Sequence, residues 1–369
     1  MTKVKDVMNV MEEIAPKKLA FEGDRIGLQV GSPNSDANRI MVTLDVLESV
    51  VDEAIEKEID LIIAHHPFIF KPFKEINWDS EKGRITKKLL THNISLFVAH
   101  TNLDIARGGV NDLLMEKLDL TDTDVLVKTT EEKLYKLVIH VPKSHENQIR
   151  QAFADAGAGF IGNYSHCTFN LEGIGTFKPQ EGANPYIGSE DELERVEEYR
   201  MDTIVPEGIL NQTIELAKKA HPYEEMAYDV YPLKVEGESY GLGRIAKLAE
   251  PMKLRELAQL VKKAYDVPNL RFVGKEDKNI RTIAVIGGDG NKYISQAKRM
   301  GADVLITGDV YFHTAHDALG MGLAMIDPGH HIEQVMKEGL QQQLKEKMPS
   351  LQVHISNQKT EPFTFLTTD

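Results

Sequence analysis

Short apolar runs alternate with amphipathic helical stretches at both ends of this chain, and the rhythm breaks between them. No other feature of the sequence restricts its fold as much. In the first third, "RIMVTLDV" (39–46), "DLIIAHH" (60–66) and "ISLFVAH" (94–100) read as strands. Between and after them, "LESVVDEAIEKEI", "RITKKLLTHN" and "GGVNDLLMEKLDL" read as helices. The last third repeats the style with strands "RTIAVIGG" (281–288), "ADVLITGD" (302–309) and "LAMID", and with helices "LRELAQLVKKAYDV", "GNKYISQAKRMG" and "HIEQVMKEGLQQQLKEK". Strand–helix alternation predicts parallel βαβ units, whose strands are buried on both faces and therefore apolar throughout. The middle differs. There "KLYKLVIHVP", "YSHCTFNLEGIGTF", "ERVEEYRMDTIVP" and "MAYDVYPL" read as strands, with helices in "HENQIRQAFADAGAG" and "GILNQTIELAKKA". That is βαβ followed by βαβ, the ferredoxin-like order. The expected fold class is therefore α/β: two α/β halves (1–128 and 241–369) form one unit, interrupted by an inserted ferredoxin-like α+β domain (129–240).

Composition narrows the class of function. A chain of 369 residues suits two or three domains. Its formal charge of −14, from 57 acidic against 43 basic residues, disfavours broad attraction to phosphate backbones, so nucleic acid is not an expected partner. No apolar run has the length of a membrane span. "MTKVKDVMNVMEEIAPKK" lacks a signal-peptide core and reads as an amphipathic helix with Val4, Val7, Met8, Met11 and Ile14 near one face. The single cysteine, Cys167, excludes an intramolecular disulfide and a cysteine metal cage, and it reads as a small buried residue in a strand of the insert. A cytoplasmic address is expected.

The chemistry concentrates where strands stop. "AHHP" (His65, His66), "AHTNLD" (His100, Asp104), "TGDVYFHTAH" (Asp309, His313, His316) and "DPGHHIE" (Asp327, His330, His331, Glu333) all stand at strand ends and hold more than half of the 13 histidines. In open α/β sheets, ligands bind at the carboxyl edge of the strands. A lone histidine is an ordinary core or surface residue; several at one topological edge converge. Neighbouring side chains on a strand point to opposite faces, so His65 and His66 cannot do the same job in regular geometry. Pro67 ends the strand beside them. In "GHHIE", His330 and Glu333 share a helix face, although a first-turn glutamate is also favoured by the helix dipole. His65, His66, Asp104, His330 and Glu333 make five candidate metal ligands. One catalytic zinc takes three protein ligands and an open position, so five suit two ions, bridged by Asp104 or Glu333.

Taken together, "DLIIAHHPFIF", "AHTNLDIARGGVNDLL", "TGDVYFHTAHDA" and "IDPGHHIE" resemble the GTP cyclohydrolase 1 type 2 homologue family, also called Ngg-interacting-factor-3-like proteins. The resemblance runs through both flanking segments. It implies a dinuclear metal site in an α/β fold, with the family's ligand pattern falling on His65, His66, Asp104, His330 and Glu333, and a toroidal homohexamer. The middle block resembles the ferredoxin-like trimeric domain of PII and cation-tolerance proteins, found in some members only.

The remaining residues carry weaker signals. His100 reads as a support of the metal shell. His313 is a further candidate for that support; it and His316 share a helix face, and both could equally bond locally or face solvent. "GGDGN" (287–291) reads as a turn, with anion holding as the alternative. The leading expectation is a metal-dependent hydrolase in which a metal-held water is the nucleophile. Two divalent ions per chain are expected, zinc before manganese or iron, with a small-molecule substrate such as a nucleotide. The alternatives are a non-enzymatic, metal-binding regulatory hexamer with a ligand-sensing insert, and a ring around nucleic acid, which the charge disfavours.

Overall fold

The structure, a computed structural model, describes residues 2–366. Its contacts divide the chain into two compact units, one of residues 1–130 with 240–369 and the other of residues 131–239. Among the described residues, no helix is long and apolar enough to cross a membrane.

The first unit is built on two sheets. One has the order Gly27–Val30, Ser95–Val98, Leu61–Ala64, Arg39–Thr43, Gln352–Ile355. Its last four strands run parallel, and Gly27–Val30 is antiparallel to its neighbour. Side-chain alternation explains why these strands are apolar throughout. Ile40, Val42, Leu61, Ile63 and Phe97 face one core, while Met41, Ile62, Ala64, Leu96 and Val98 face another, which Val50, Val51, Ile85 and Leu89 close from two helices. The second sheet has the order Arg271–Val273, Ala324–Asp327, Val304–Gly308, Asn279–Asp289, Ser239–Lys253, Asp124–Glu131. Its middle strands from Asn279–Asp289 to Ala324–Asp327 are parallel.

The two halves interlock. Asp124–Glu131 belongs to the second sheet although it follows the first half in sequence, and Gln352–Ile355 returns from the far end of the chain to pair with Arg39–Thr43. Sequence reading misses these two strands, along with Gly27–Val30, Arg271–Val273 and the fifteen-residue Ser239–Lys253. Except for Ser239–Lys253, they are sheet-edge strands, half open to solvent, and so lack the continuous apolar run that marks an inner parallel strand. The helix expected from His331 differs at its start: His330–Val335 is a 3-10 segment, and the α-helix runs Met336–Lys347. Residues three apart eclipse in a 3-10 turn, which stacks Glu333 over His330.

The second unit follows the order strand Leu134–Pro142, helix Glu146–Asp155, strands Thr168–Phe177 and Glu194–Pro206, helix Leu210–Ala220, strand Tyr228–Pro232. Its antiparallel sheet is ordered Thr168–Phe177, Glu194–Pro206, Leu134–Pro142, Tyr228–Pro232. Leu137, Ile139, Val141, Met201 and Val205 bury one sheet face under Ile149, Phe153, Ile214 and Ala217 of the two helices. Cys167 is half-buried and stands just before the strand Thr168–Phe177, rather than as a buried residue within it.

Candidate metal centre

The strand Leu61–Ala64 stops one residue before His65, yet the backbone stays tied to its neighbour: His65 N–H donates to the Thr43 carbonyl at 3.2 Å and His66 N–H to the Leu44 carbonyl at 2.9 Å. Released from strict alternation, both rings turn toward one place, with centroids 5.1 Å apart. His65 is wholly buried. Its Nδ1–H donates to the Ala99 carbonyl at 2.9 Å, which leaves Nε2 facing inward as a lone pair. Burial pushes its pKa down to about 3 against the pull of the Glu333 charge, so the ring is neutral.

His66 is held the same way by a different partner. Its Nδ1–H donates to Asp45 Oδ1 at 2.7 Å, and its Nε2 lies 3.0 Å from Glu333 Oε2. Burial disfavours its charge, but the bonds to Asp45 and Glu333 outweigh that and carry the pKa up to about 10. His330 repeats the pattern with Nδ1 on Asp309 Oδ2 at 2.6 Å and Nε2 at 3.1 Å from Glu333 Oε2. The Glu333 bond, opposed by burial and helped by Asp309, raises it to about 9. Glu333 thus sits between two imidazoles; burial works against its charge, but their hydrogen bonds hold its carboxyl well below the usual carboxylate range. Asp104 goes the other way: burial and the Glu333 charge push it well above that range.

All five expected ligands thus meet, linked through Glu333 and Asp104. His65 Nε2 is 3.5 Å from Asp104 Oδ1 and 3.8 Å from Glu333 Oε2. Potential ligand atoms within 4.8 Å of one another form three overlapping groups: His65, Asp104 and Glu333; His66, His330 and Glu333; and His65, His66 and His100. Glu333 is shared by two of them. A metal fits this donor set on a specific ground. His65 Nε2 and Asp104 Oδ1 are buried and have no hydrogen-bond partner among the described residues, a costly state for polar atoms that an ion between them would relieve. Neutral imidazole and carboxylate oxygen are also the donors that zinc, manganese and iron accept.

His100, expected as a support, takes part in one of the three groups, and its Nδ1 is anchored by Asp24 Oδ1 at 3.0 Å. Asp24 in turn accepts the Thr101 N–H at 3.1 Å. His313 and His316 are exposed, pack their rings on Phe312 at 5.4 and 4.8 Å, and lie outside the groups. His331 bonds Thr360 Oγ1 at 3.2 Å. Asp327 accepts the Val310 and Gly329 N–H groups, each at 3.0 Å, and Arg271 Nε at 2.8 Å, fixing the turn that delivers His330.

Sequence reasoning missed several positioning groups. Asn111 is fully buried; its Nδ2 donates to the Asp104 carbonyl at 2.9 Å, and its Oδ1 accepts the Gly287 N–H at 2.9 Å. Gly287 and Gly288 of "GGDGN" belong to the strand Asn279–Asp289 rather than to a simple turn. A Cβ on Gly288, whose φ is +61°, would lie 2.6 Å from Glu333 Oε1 and 3.2 Å from His330 Nε2. Only a glycine lets that backbone pass so close to the cluster. Asp45 had a legible signal, since it too follows an inner strand directly. Asp24, in an irregular loop, had none.

Beside the cluster opens a cavity of about 1080 Å³, lined by His66 and His330 and by Lys359, Phe363 and Phe365 near the end of the chain.

Fold and site together define a class: an α/β protein with a buried histidine–carboxylate cluster, able to hold metal, at the carboxyl ends of its parallel strands. The chain belongs to the Duf34/NIF3 (NGG1p interacting factor 3) family, whose sequence profile matches residues 2–362. It is 52% identical to a "GTP cyclohydrolase 1 type 2 homolog" of Halalkalibacterium halodurans over 364 residues, 98% of each chain. A Bacillus subtilis protein of the same description is 51% identical, again over 98% of each chain. The crystal structure of a Bacillus cereus protein related to NIF3 superposes with a TM-score of 0.94 at 50% identity and covers 99% of both chains.

Proposed function

We propose that this chain is a dinuclear metal-dependent hydrolase, with His65, His66, Asp104, His330 and Glu333 holding two divalent ions, zinc first. The observation that carries the reading is the buried, unpartnered pair His65 Nε2 and Asp104 Oδ1 standing beside a carboxylate that two further imidazoles share. When bound, such a pair of ions supplies the Lewis acidity for attack by water. The protein's own residues do the rest. Ala99, Asp45 and Asp309 accept from Nδ1 of the three imidazoles, so each Nε2 is the nitrogen aimed inward; His66 and His330, whose charge Glu333 favours, would release their Nε2 protons on taking a metal. Glu333 Oε2, 3.0, 3.1 and 3.8 Å from Nε2 of His66, His330 and His65, would help hold the ions, with Asp104 beside it. Phe363 and Phe365 line the adjoining cavity, where an aromatic side chain would stack on a planar base. The names of the relatives make GTP the first substrate to assay.

The same reading makes the 131–239 unit a ferredoxin-like, PII-like insert, and the assembly a toroidal homohexamer of two trimers in the cytoplasm. A non-catalytic, regulatory metal protein is the second reading, favoured by a separate cavity within the 131–239 unit.

The assay loads the full chain with zinc, manganese or iron and offers GTP, other nucleotides and simple phosphoesters. Turnover is expected with at least one of them. His330→Ala should abolish it, and His100→Ala should reduce it about 10–100-fold, the effect of losing an orienting group. Absence of turnover across the panel, with ligand variants altering only the oligomer, would transfer the assignment to the regulatory reading.

A further inference from the structure

The 131–239 unit holds a cavity of about 740 Å³ that the metal chemistry does not use. Its wall includes three aromatic rings, Phe177, Tyr186 and Tyr223, with the Tyr223 centroid 5.7 Å from Phe177 and 6.3 Å from Tyr186. The Glu198 carboxylate also lines it. Glu198 is only 7% exposed, and its hydrogen-bond partner is the Tyr223 hydroxyl at 2.9 Å.

Among the described residues, no lysine, arginine or histidine forms an ion pair with that buried acid. The two cations on the cavity wall are turned to acids of their own, Lys178 to Asp191 at 3.2 Å and Arg200 to Asp202 at 3.3 Å. The neighbouring imidazole, His221, has both nitrogens committed: Nε2–H donates to the His140 carbonyl at 2.9 Å, and Nδ1 accepts the Tyr223 N–H at 3.1 Å. The recess itself depends on a glycine. A Cβ at Gly175, on the adjacent strand, would lie 2.1 Å from Glu198 Oε2. A buried acid without a counter-ion is costly, and aromatic faces attract organic cations.

We propose that this cavity binds a small organic ammonium compound with an apolar body, the ammonium meeting Glu198 and the body lying on Phe177, Tyr186 and Tyr223. The proposal is independent of the hydrolase reading. A cavity of this size takes a ligand well beyond a simple ammonium ion, so the body as well as the charge contributes to recognition.

Two probes of the same shape and opposite charge test it: phenethylamine and 3-phenylpropionate, titrated by calorimetry into the full-length, metal-loaded protein at fixed salt. Saturable binding of phenethylamine is expected, with 3-phenylpropionate at least about tenfold weaker, as the loss of one charge-assisted hydrogen bond requires. Glu198→Gln should weaken phenethylamine by a similar factor and leave the metal content unchanged. Tyr186→Ala, at a residue 56% exposed and so tolerant of truncation, should weaken it several-fold and decides the matter if Glu198→Gln does not fold. Three results would each overturn the proposal: no saturable phenethylamine binding into the millimolar range, equal binding of the anion, or unchanged binding by the folded variants.

Discussion

Glu333→Gln should strip the cluster of metal while leaving the fold in place. Glu333 Oε2 lies 3.0 Å from His66 Nε2 and 3.1 Å from His330 Nε2, and the same side chain belongs to two of the three ligand groups. An amide of the same shape fills the space, so packing against Gly288 is kept, but the shared negative charge is gone. Loss of an orienting partner alone costs about 10–100-fold in metal affinity, and a lost bridging ligand should cost more, for both ions at once. Competition with a chromophoric chelator measures this directly. Loss of one ion with the other retained at parental affinity would show that Glu333 serves a single position.

The second large effect is on stability and comes from a residue without chemistry. Arg244 is fully buried. Its guanidinium donates to both carboxylate oxygens of Asp112 and to the carbonyls of Gly241 at 2.9 Å, Gly243 at 3.0 Å, Ile105 at 3.3 Å and Ala106 at 3.2 Å. It therefore locks the segment that follows Asp104 onto the strand Ser239–Lys253. Arg244→Ala leaves a half-buried acid and several carbonyls unanswered, and breaking a buried ion pair from one side costs about 3–5 kcal/mol. Denaturant unfolding followed by circular dichroism should register a loss of that size. Replacing Arg244 and Asp112 together by apolar residues of similar volume should recover most of it, since no charge is then left without a partner. A single variant within about 1 kcal/mol of the parent would mean that the network is open to water and worth little.

These two residues mark what could and could not be read from the chain. Glu333 was legible because it stands three positions after a strand-end histidine, and strand ends of an α/β sheet share one edge. His65, His66, Asp104 and His330 were legible on the same ground. Arg244 was not, because "GLGRIAKL" gives no sign that an arginine will be buried; besides two carbonyls of its own strand, its partners lie at Ile105, Ala106 and Asp112, more than a hundred positions away. The inner strands announced themselves by being apolar on both faces, whereas Gln352–Ile355 has a single buried residue, Val353, and acquires its place only by pairing with Arg39–Thr43. Asp24 and Asn111 position His100 and Asp104 through bonds that depend on the finished fold. Local pattern shows which groups converge; long-range contacts decide what holds them still.

The central claim is the number and place of the ions, and it can be measured on the full chain purified without chelator. Elemental analysis at saturating zinc or manganese, combined with anomalous diffraction from the same preparation, reports both. The account predicts two ions per chain, about 3.5–4 Å apart, lying among His65, His66, Asp104, His330 and Glu333. At most one ion per chain, or anomalous density away from these side chains, would contradict it.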